Sequence, residues 1–296
     1  MAGAERVFNA MPVTYVYEPE LWSGTAAGNE NTDEADASAT DEEEAEDTVE
    51  APDEETEETA DTSDAEDADE ETQDSETEDT STAAAVPNNR VVCIDPGHQL
   101  KGDSTKEPIG PGATETKAKV ASGTTGVATG VPEYQLTLDV ALKLQAELES
   151  RGYQVVMCRT TNNVNISNSE RAAVANNAGA GAFLRLHANG ASSAGVSGAE
   201  TLAPSTSNPY CASIAAASQT LSKCVLDCMC AASGATNRGV KIYDNMSGIN
   251  WSKVPVTIVE MGYMTNPAED QAMQNSDYQA KLVKGMADGV DKFFGL

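Results

Sequence analysis

The sequence predicts a single α/β domain, with a largely parallel central sheet of about six strands flanked by helices, preceded by a disordered acidic tract. Two observations predict the domain, and a third sets its limit. Short, nearly continuous apolar runs, of the kind buried on both faces of a parallel sheet, alternate with longer stretches of helical periodicity. Two of those runs end in histidine: VVCIDPGH ends in His98 and residues 182–187 end in His187, the only two histidines in 296 residues. The net charge of −30 belongs almost wholly to one side of a boundary near Pro87.

Residues 25–86 hold 27 Asp and Glu and no Lys or Arg, whereas residues 87–296 hold 18 acids against 17 bases. The acidic pI therefore describes the tract and not the domain. With almost no large apolar side chain, the tract cannot offset the entropy of ordering itself. It reads as a linker spanning roughly 45 Å as a random coil, and further once self-repulsion extends it. The functional alternative is an acidic tail that binds cations or a basic partner. Residues 1–24 are a short, moderately apolar segment of unknown role, too short to make a core. The expected organisation is 1–24, then the linker 25–86, then a catalytic domain over 87–296. No basic start leads into a long apolar run, so no signal peptide is expected. No stretch approaches the ~20 apolar residues that span a bilayer, and no nucleic-acid partner is expected.

Within the domain, residues 91–95 form the first strand, broken sharply by Pro96-Gly97. Residues 99–131 are rich in Gly, Thr and Lys and show no periodicity, so they read as one long functional or mobile loop over the end of that strand. Glu133 to Ser150 is the clearest helix: Leu136, Val140, Leu144 and Leu148 recur at intervals of four, Pro132 suits its first turn and Gly152 its stop. The helix dipole there favours an ionised Glu133. A second strand covers 153–159. Ser167 and Glu170 form an S-x-x-E capping box for a short helix to about Asn177, and a third strand follows at 182–188. A weaker strand at 197–204, a long helix at 207–233, a strand at 239–244 and an apolar strand at 255–262 come next. The last helix, 276–294, repeats Tyr278, Leu282, Met286, Val290 and Phe294 at intervals of four.

Six cysteines are an even number but not a small disulfide framework. Cys93 and Cys158 lie in apolar runs as buried small hydrophobes; Cys211, Cys224, Cys228 and Cys230 share one alanine-rich helix, and C-x3-C-x-C fits no common zinc spacing. Burial is the leading reading and a disulfide the second, so the redox compartment stays open.

Ligands of open α/β sheets bind beyond the carboxyl ends of the strands. His98 follows the first strand, His187 ends the third, Glu260 nearly ends the sixth, and Glu133 at a helix start can face the same edge. Two imidazoles and a carboxylate are a usual catalytic zinc set that leaves a position for water, and a further carboxylate can act as general base. A histidine that merely ends a buried strand is the competing reading, and no H-E-x-x-H motif is present to decide between them.

Four segments go further: CIDPGHQ, VPEYQLTLDVALKLQAEL, SERAAVANNAGAGAFLRLHANG and VPVTIVEMGYMTNPAED. In order and approximate spacing, over residues 91–294, they resemble the zinc-dependent N-acetylmuramoyl-L-alanine amidases, AmiC-like bacterial cell-wall hydrolases. The resemblance implies peptidoglycan as substrate, hydrolysis of the bond between N-acetylmuramic acid and L-alanine, Zn2+ as cofactor, and an extracellular or wall-associated site of action. Matched position by position, it implies His98, Glu133 and His187 as metal ligands and Glu260 as the catalytic glutamate. Gln99 departs from the glycine of many relatives, which implies a tighter turn or a more polar rim. Alternatives are another zinc peptidase or carboxypeptidase acting on wall peptides, and a non-catalytic wall-binding module.

Arg185 is a separate expectation. Strand alternation puts it on the face of Phe183 and His187, roughly 7 Å from the latter, and an arginine in so apolar a strand needs an acidic partner. Glu260 or Asp95 is expected to supply it. Lys101, Lys106, Lys117 and Lys119 read as a solvated loop, or as a contact for anionic wall polymers. Asn189 reads as a turn residue or a substrate contact.

Overall fold

A computed structural model describes residues 90–296; the expectations for residues 1–24 and 25–86 fall outside the described residues. The strands with buried apolar side chains on both faces form the centre of the molecule. β1 (Val91–Pro96) is flanked by β4 (Gln154–Met157) and β5 (Ala182–Asn189), and β5 by β8 (Val256–Tyr263), all parallel. β6 (Ala199–Ala203) runs antiparallel to β8, and β7 (Asn237–Ile242) runs parallel to β6. The order is β4-β1-β5-β8-β6-β7, six strands and mostly parallel.

Alternation along the strands divides the core. Val92, Ile94, Leu184, Leu186, Val259 and Met261 face one side, where α1 (Glu133–Ser150), α3 (Ala212–Ser233) and α6 (Ser276–Phe293) bury Leu144, Val225 and Met286 against them. Cys93, Phe183 and Ile258 face the other side, covered by α2 (Asn168–Asn177) and the short α4 (Ser247–Asn250). The expected capping box is present: Ser167 Oγ accepts from Glu170 N, and the Glu170 carboxylate accepts from Ser167 N. Pro132 stands one place earlier than expected, at the N-cap of α1.

One expectation needs correcting. Residues 99–131 are not one featureless loop; they contain an antiparallel hairpin, β2 (Asp103–Pro108) and β3 (Thr116–Val120). Its strands are polar, β2 mostly exposed and β3 mostly half-buried, so they lack the alternation that reveals a strand. Buried Glu107 ties the hairpin to α2 by accepting from Ser169 N and Oγ, and the Trp251 indole donates to Pro108 O. Between the sixth strand and the last helix lies one more helix, α5 (Pro267–Gln274), capped by Asn266. All six cysteines are free, four of them buried.

Candidate metal and catalytic site

The site lies at the carboxyl edge of β1, β5 and β8 and is assembled from short-range features of the sequence. Pro96-Gly97 ends β1, and His98 follows with φ 59°, the one non-glycine residue with positive φ among the described residues. An L-residue in this left-handed region is held at a cost of about 1–3 kcal/mol, so its surroundings must impose the conformation. Gly97 has a separate reason to be glycine. A Cβ there would lie 2.5 Å from His187 Cε1, 2.6 Å from His187 Nε2 and 2.6 Å from Leu186 O. The second imidazole packs where any side chain at 97 would stand.

Glu133 is the first residue of α1 and is 3% exposed. Its Oε1 accepts from Ala188 N at 3.0 Å and its Oε2 from Thr124 N at 3.0 Å. The same Oε1 lies 3.1 Å from His98 Nε2 and 3.1 Å from His187 Nδ1, and these two nitrogens are 3.1 Å apart. His98 Nδ1 donates to Ala121 O at 2.9 Å, which fixes the tautomer and leaves the Nε2 lone pair facing inward. The segment between the hairpin and α1 therefore braces two of the three groups, through Ala121 O and Thr124 N. Gly123, at φ 81°, passes so close that a Cβ would stand 2.8 Å from the His98 ring and 3.0 Å from the Glu133 carboxylate.

Electrostatics inside this cluster are tightly coupled. Burial opposes ionisation of Glu133, but His98 and His187 outweigh it and hold the carboxyl well below the usual carboxylate range. Burial likewise opposes protonation of His98, yet Glu133 outweighs it and raises the pKa. At His187 burial prevails and the pKa falls, helped by the neighbouring His98.

Three electron-pair donors converging with 3.1 Å edges repel one another unless a proton or a metal ion lies among them. A point about 2.1 Å from all three sits roughly 1 Å off their plane, which matches zinc–nitrogen and zinc–oxygen distances. Among the described residues this is the one His/Cys/Asp/Glu grouping close enough to hold a metal ion. The donor set fits.

Glu260 sits on β8 as the register partner of His187 on one side and of Glu200 on the other. Register partners project from the same face, so Glu260 stands beside the imidazole, half-buried. Arg185 finds one of its two expected partners: its Nε donates to Asp95 Oδ2 at 2.9 Å, and its Nη2 to Asn168 Oδ1 at 2.7 Å. Asp95 shares its other oxygen with Arg171, at 2.6 Å. Burial alone would raise Asp95, but the two guanidinium groups outweigh it and hold the pKa at about 2.

The expectation of a more polar rim at Gln99 does not hold, because its side chain points inward. Gln99 is 1% exposed; its Oε1 accepts from Ile166 N and Arg171 Nη2, and its Nε2 donates to Asn165 Oδ1 and Lys101 O. Asn189 is not a turn residue but the buried last residue of β5, its Oδ1 accepting from Gly190 N and its Nδ2 donating to Glu200. Sequence reasoning did not single out Arg171, Arg159 or Asp270. Arg171 donates to Pro96 O and His98 O. Asp270 receives Ala128 N, Thr129 N and Thr129 Oγ1 and pins the loop ahead of Glu133. The available signal was an arginine at the end of an apolar run, as at 159.

Comparison with known proteins bears on this arrangement. The family model described as N-acetylmuramoyl-L-alanine amidase matches residues 92–292. The chain is 30% identical over 226 residues to an N-acetylmuramoyl-L-alanine amidase of Mycobacterium tuberculosis, covering 72% of this chain and 91% of that one. Among solved structures it resembles the N-acetylmuramyl-L-alanine amidase of Mycobacterium smegmatis, with TM-score 0.64 and 28% identity over 72% of this chain and 99% of that chain. It also resembles the catalytic domain of an N-acetylmuramoyl-L-alanine amidase from Bacillus (Paenibacillus) polymyxa, with TM-score 0.56 and 26% identity over 69% and 98% of the respective chains.

Proposed function

The chain belongs to the N-acetylmuramoyl-L-alanine amidase family, and on that premise we propose that His98, Glu133 and His187 hold a zinc ion and that Glu260 is the catalytic carboxylate. The enzyme is a hydrolase of peptidoglycan that cleaves the amide joining N-acetylmuramic acid to the L-alanine of the stem peptide. What supports the ligand assignment is the triangle of His98 Nε2, His187 Nδ1 and Glu133 Oε1 with 3.1 Å edges.

When bound, zinc supplies Lewis-acid polarisation and lowers the pKa of water from 15.7 toward about 7. The protein's own groups do the rest. Ala121 O and Thr124 N hold His98 and Glu133 in the orientation the ion requires. Glu260, beside His187, takes the proton of the attacking water. It then returns that proton to the leaving L-alanine nitrogen, which departs as a neutral amine rather than an amide anion. Such an enzyme works where its substrate is, so we place it outside the cytoplasmic membrane or in the wall, with residues 87–296 as the catalytic domain. Among the described residues no helix is long and apolar enough to cross a membrane.

Two substitutions separate the roles. His98→Ala is expected to lose both zinc and activity. Glu260→Gln is expected to retain stoichiometric zinc by elemental analysis while losing turnover. Normal turnover in Glu260→Gln would remove the catalytic assignment, and full zinc in His98→Ala would remove the ligand assignment.

A further inference from the structure

Arg159 lies just beyond β4 and is 3% exposed, yet none of its hydrogen bonds goes to a carboxylate. Burial, reinforced by the like charge of Arg171, pulls its pKa down to about 10. A buried cation with no carboxylate in hydrogen-bond contact is costly, and here it is sustained by converging oxygens and the nearby charge of Asp95. Those oxygens come from three places. Pro96 O, at 2.9 Å from Nε, and Gly97 O, at 2.9 Å from Nη2, belong to the turn that presents His98. Tyr134 O, at 2.8 Å, and Thr137 Oγ1, at 3.2 Å, both from Nη2, belong to the first turns of α1, which begins at Glu133. Thr161 O and Asn162 Oδ1 tie Nη1 to the loop that carries the arginine.

One nitrogen, Nη2, thus joins the residue before His98 to the residue after Glu133. Thr137 adds a second strut, since its hydroxyl donates to Gly97 O at 2.9 Å. We propose that Arg159, acting with Thr137, is the positioning residue that sets the separation of His98 from Glu133 and thereby the affinity and geometry of the metal site. The inference rests on the assignment of His98 and Glu133 as ligands. β1 and α1 approach each other here through a strained turn at φ 59°, and a metal site tolerates errors of only about 0.2 Å in its ligands. The planar guanidinium spans both sides with a fixed fork of donors. A lysine ammonium carries the charge but projects its three donors from a single point.

The test compares wild type, Arg159→Lys and Thr137→Val as full chains. Zinc affinity is measured by competition with a chromophoric chelator, ligand geometry by the visible absorption of the cobalt(II)-loaded protein, and folding by the urea midpoint of the metal-free protein. Arg159→Lys is expected to weaken zinc binding about 10–100-fold and to shift the cobalt bands. Thr137→Val, nearly isosteric, is expected to move both in the same direction by less. If Arg159→Lys does not fold, Thr137→Val carries the test alone. A purely structural role would lower the urea midpoint and leave zinc affinity and cobalt bands of the folded protein unchanged; that result would overturn the clasp and spare the ligand assignment. A wild-type protein that binds no zinc would overturn both.

Discussion

Replacing Asp95 by asparagine isolates the charge that organises the ground beneath the site. The carboxylate is fully buried and accepts from Arg171 at 2.6 Å and Arg185 at 2.9 Å. Its pKa is held at about 2 against an ordinary 3.8, which at 1.36 kcal/mol per unit is on the order of 2 kcal/mol of stability. The folded-state pKa is depressed, so this stability is fully present above pH 3.8 and is lost as pH falls through about 2. Asparagine resembles the protonated acid, so the substitution forfeits stability of this order. It also turns an N–H donor toward one guanidinium and leaves two buried cations uncompensated, and breaking buried pairs in this way costs up to about 5 kcal/mol. Urea denaturation of the metal-free protein at neutral pH should therefore show Asp95→Asn less stable by about 2–5 kcal/mol. The gap should narrow as pH falls from about 4 to about 2. A loss below about 1 kcal/mol, the range of exposed ion pairs, or a gap that does not change with pH would refute the reasoning.

Further outcomes follow from the same geometry. Gly97→Ala drives a methyl into the His187 ring, 2.5 Å from Cε1, so zinc affinity measured by chelator competition should fall about tenfold or more; unchanged affinity would mean the turn yields freely. Ser167→Ala removes one half of the capping box on α2 and should cost about 1 kcal/mol in urea denaturation, with none of that loss if the cap is idle. Burial works against protonating His98, but Glu133 outweighs it and raises the pKa above the usual 6.5. Protons thus compete with the metal from neutral pH downward, and zinc should bind more weakly near pH 6 than near pH 8. Equal affinity at the two would count against His98 as a ligand.

The strands were legible in the sequence because apolar runs announce buried strands; their ends, where a sheet exposes its chemistry, suggested the site, and the family resemblance assigned the roles of its residues. His98 and His187 sat at such ends, Glu260 near one and Glu133 at a helix start on the same edge, and the structure gathers His98, Glu133 and His187 into one triangle with Glu260 in the next strand. Arg185 was legible because a charge in an apolar strand demands a partner, though Asp95 and Glu260 were not distinguishable until their register was known. What escaped had no periodic signal. The β2–β3 hairpin pairs polar strands, so neither face shows in the pattern. The reversed direction of β6 and β7 depends on how the chain returns between sheet and helices, and no residue spells it out. The bracing of His98 by Ala121 O uses a backbone carbonyl, and any residue type provides one. Arg159 binds the carbonyls of Pro96, Gly97 and Tyr134 too, and those partners leave no trace in side-chain chemistry.

Digestion of purified peptidoglycan sacculi by the zinc-loaded chain, with the products read by mass spectrometry, tests the central claim most directly. Glu260→Gln serves as the matched control. The account predicts free stem peptides with an intact N-terminal L-alanine, together with unbroken glycan strands bearing unsubstituted muramic acid, and neither product from the variant. Release of D-alanine with the stem peptides still attached to the glycan, or equal digestion by Glu260→Gln, would contradict it.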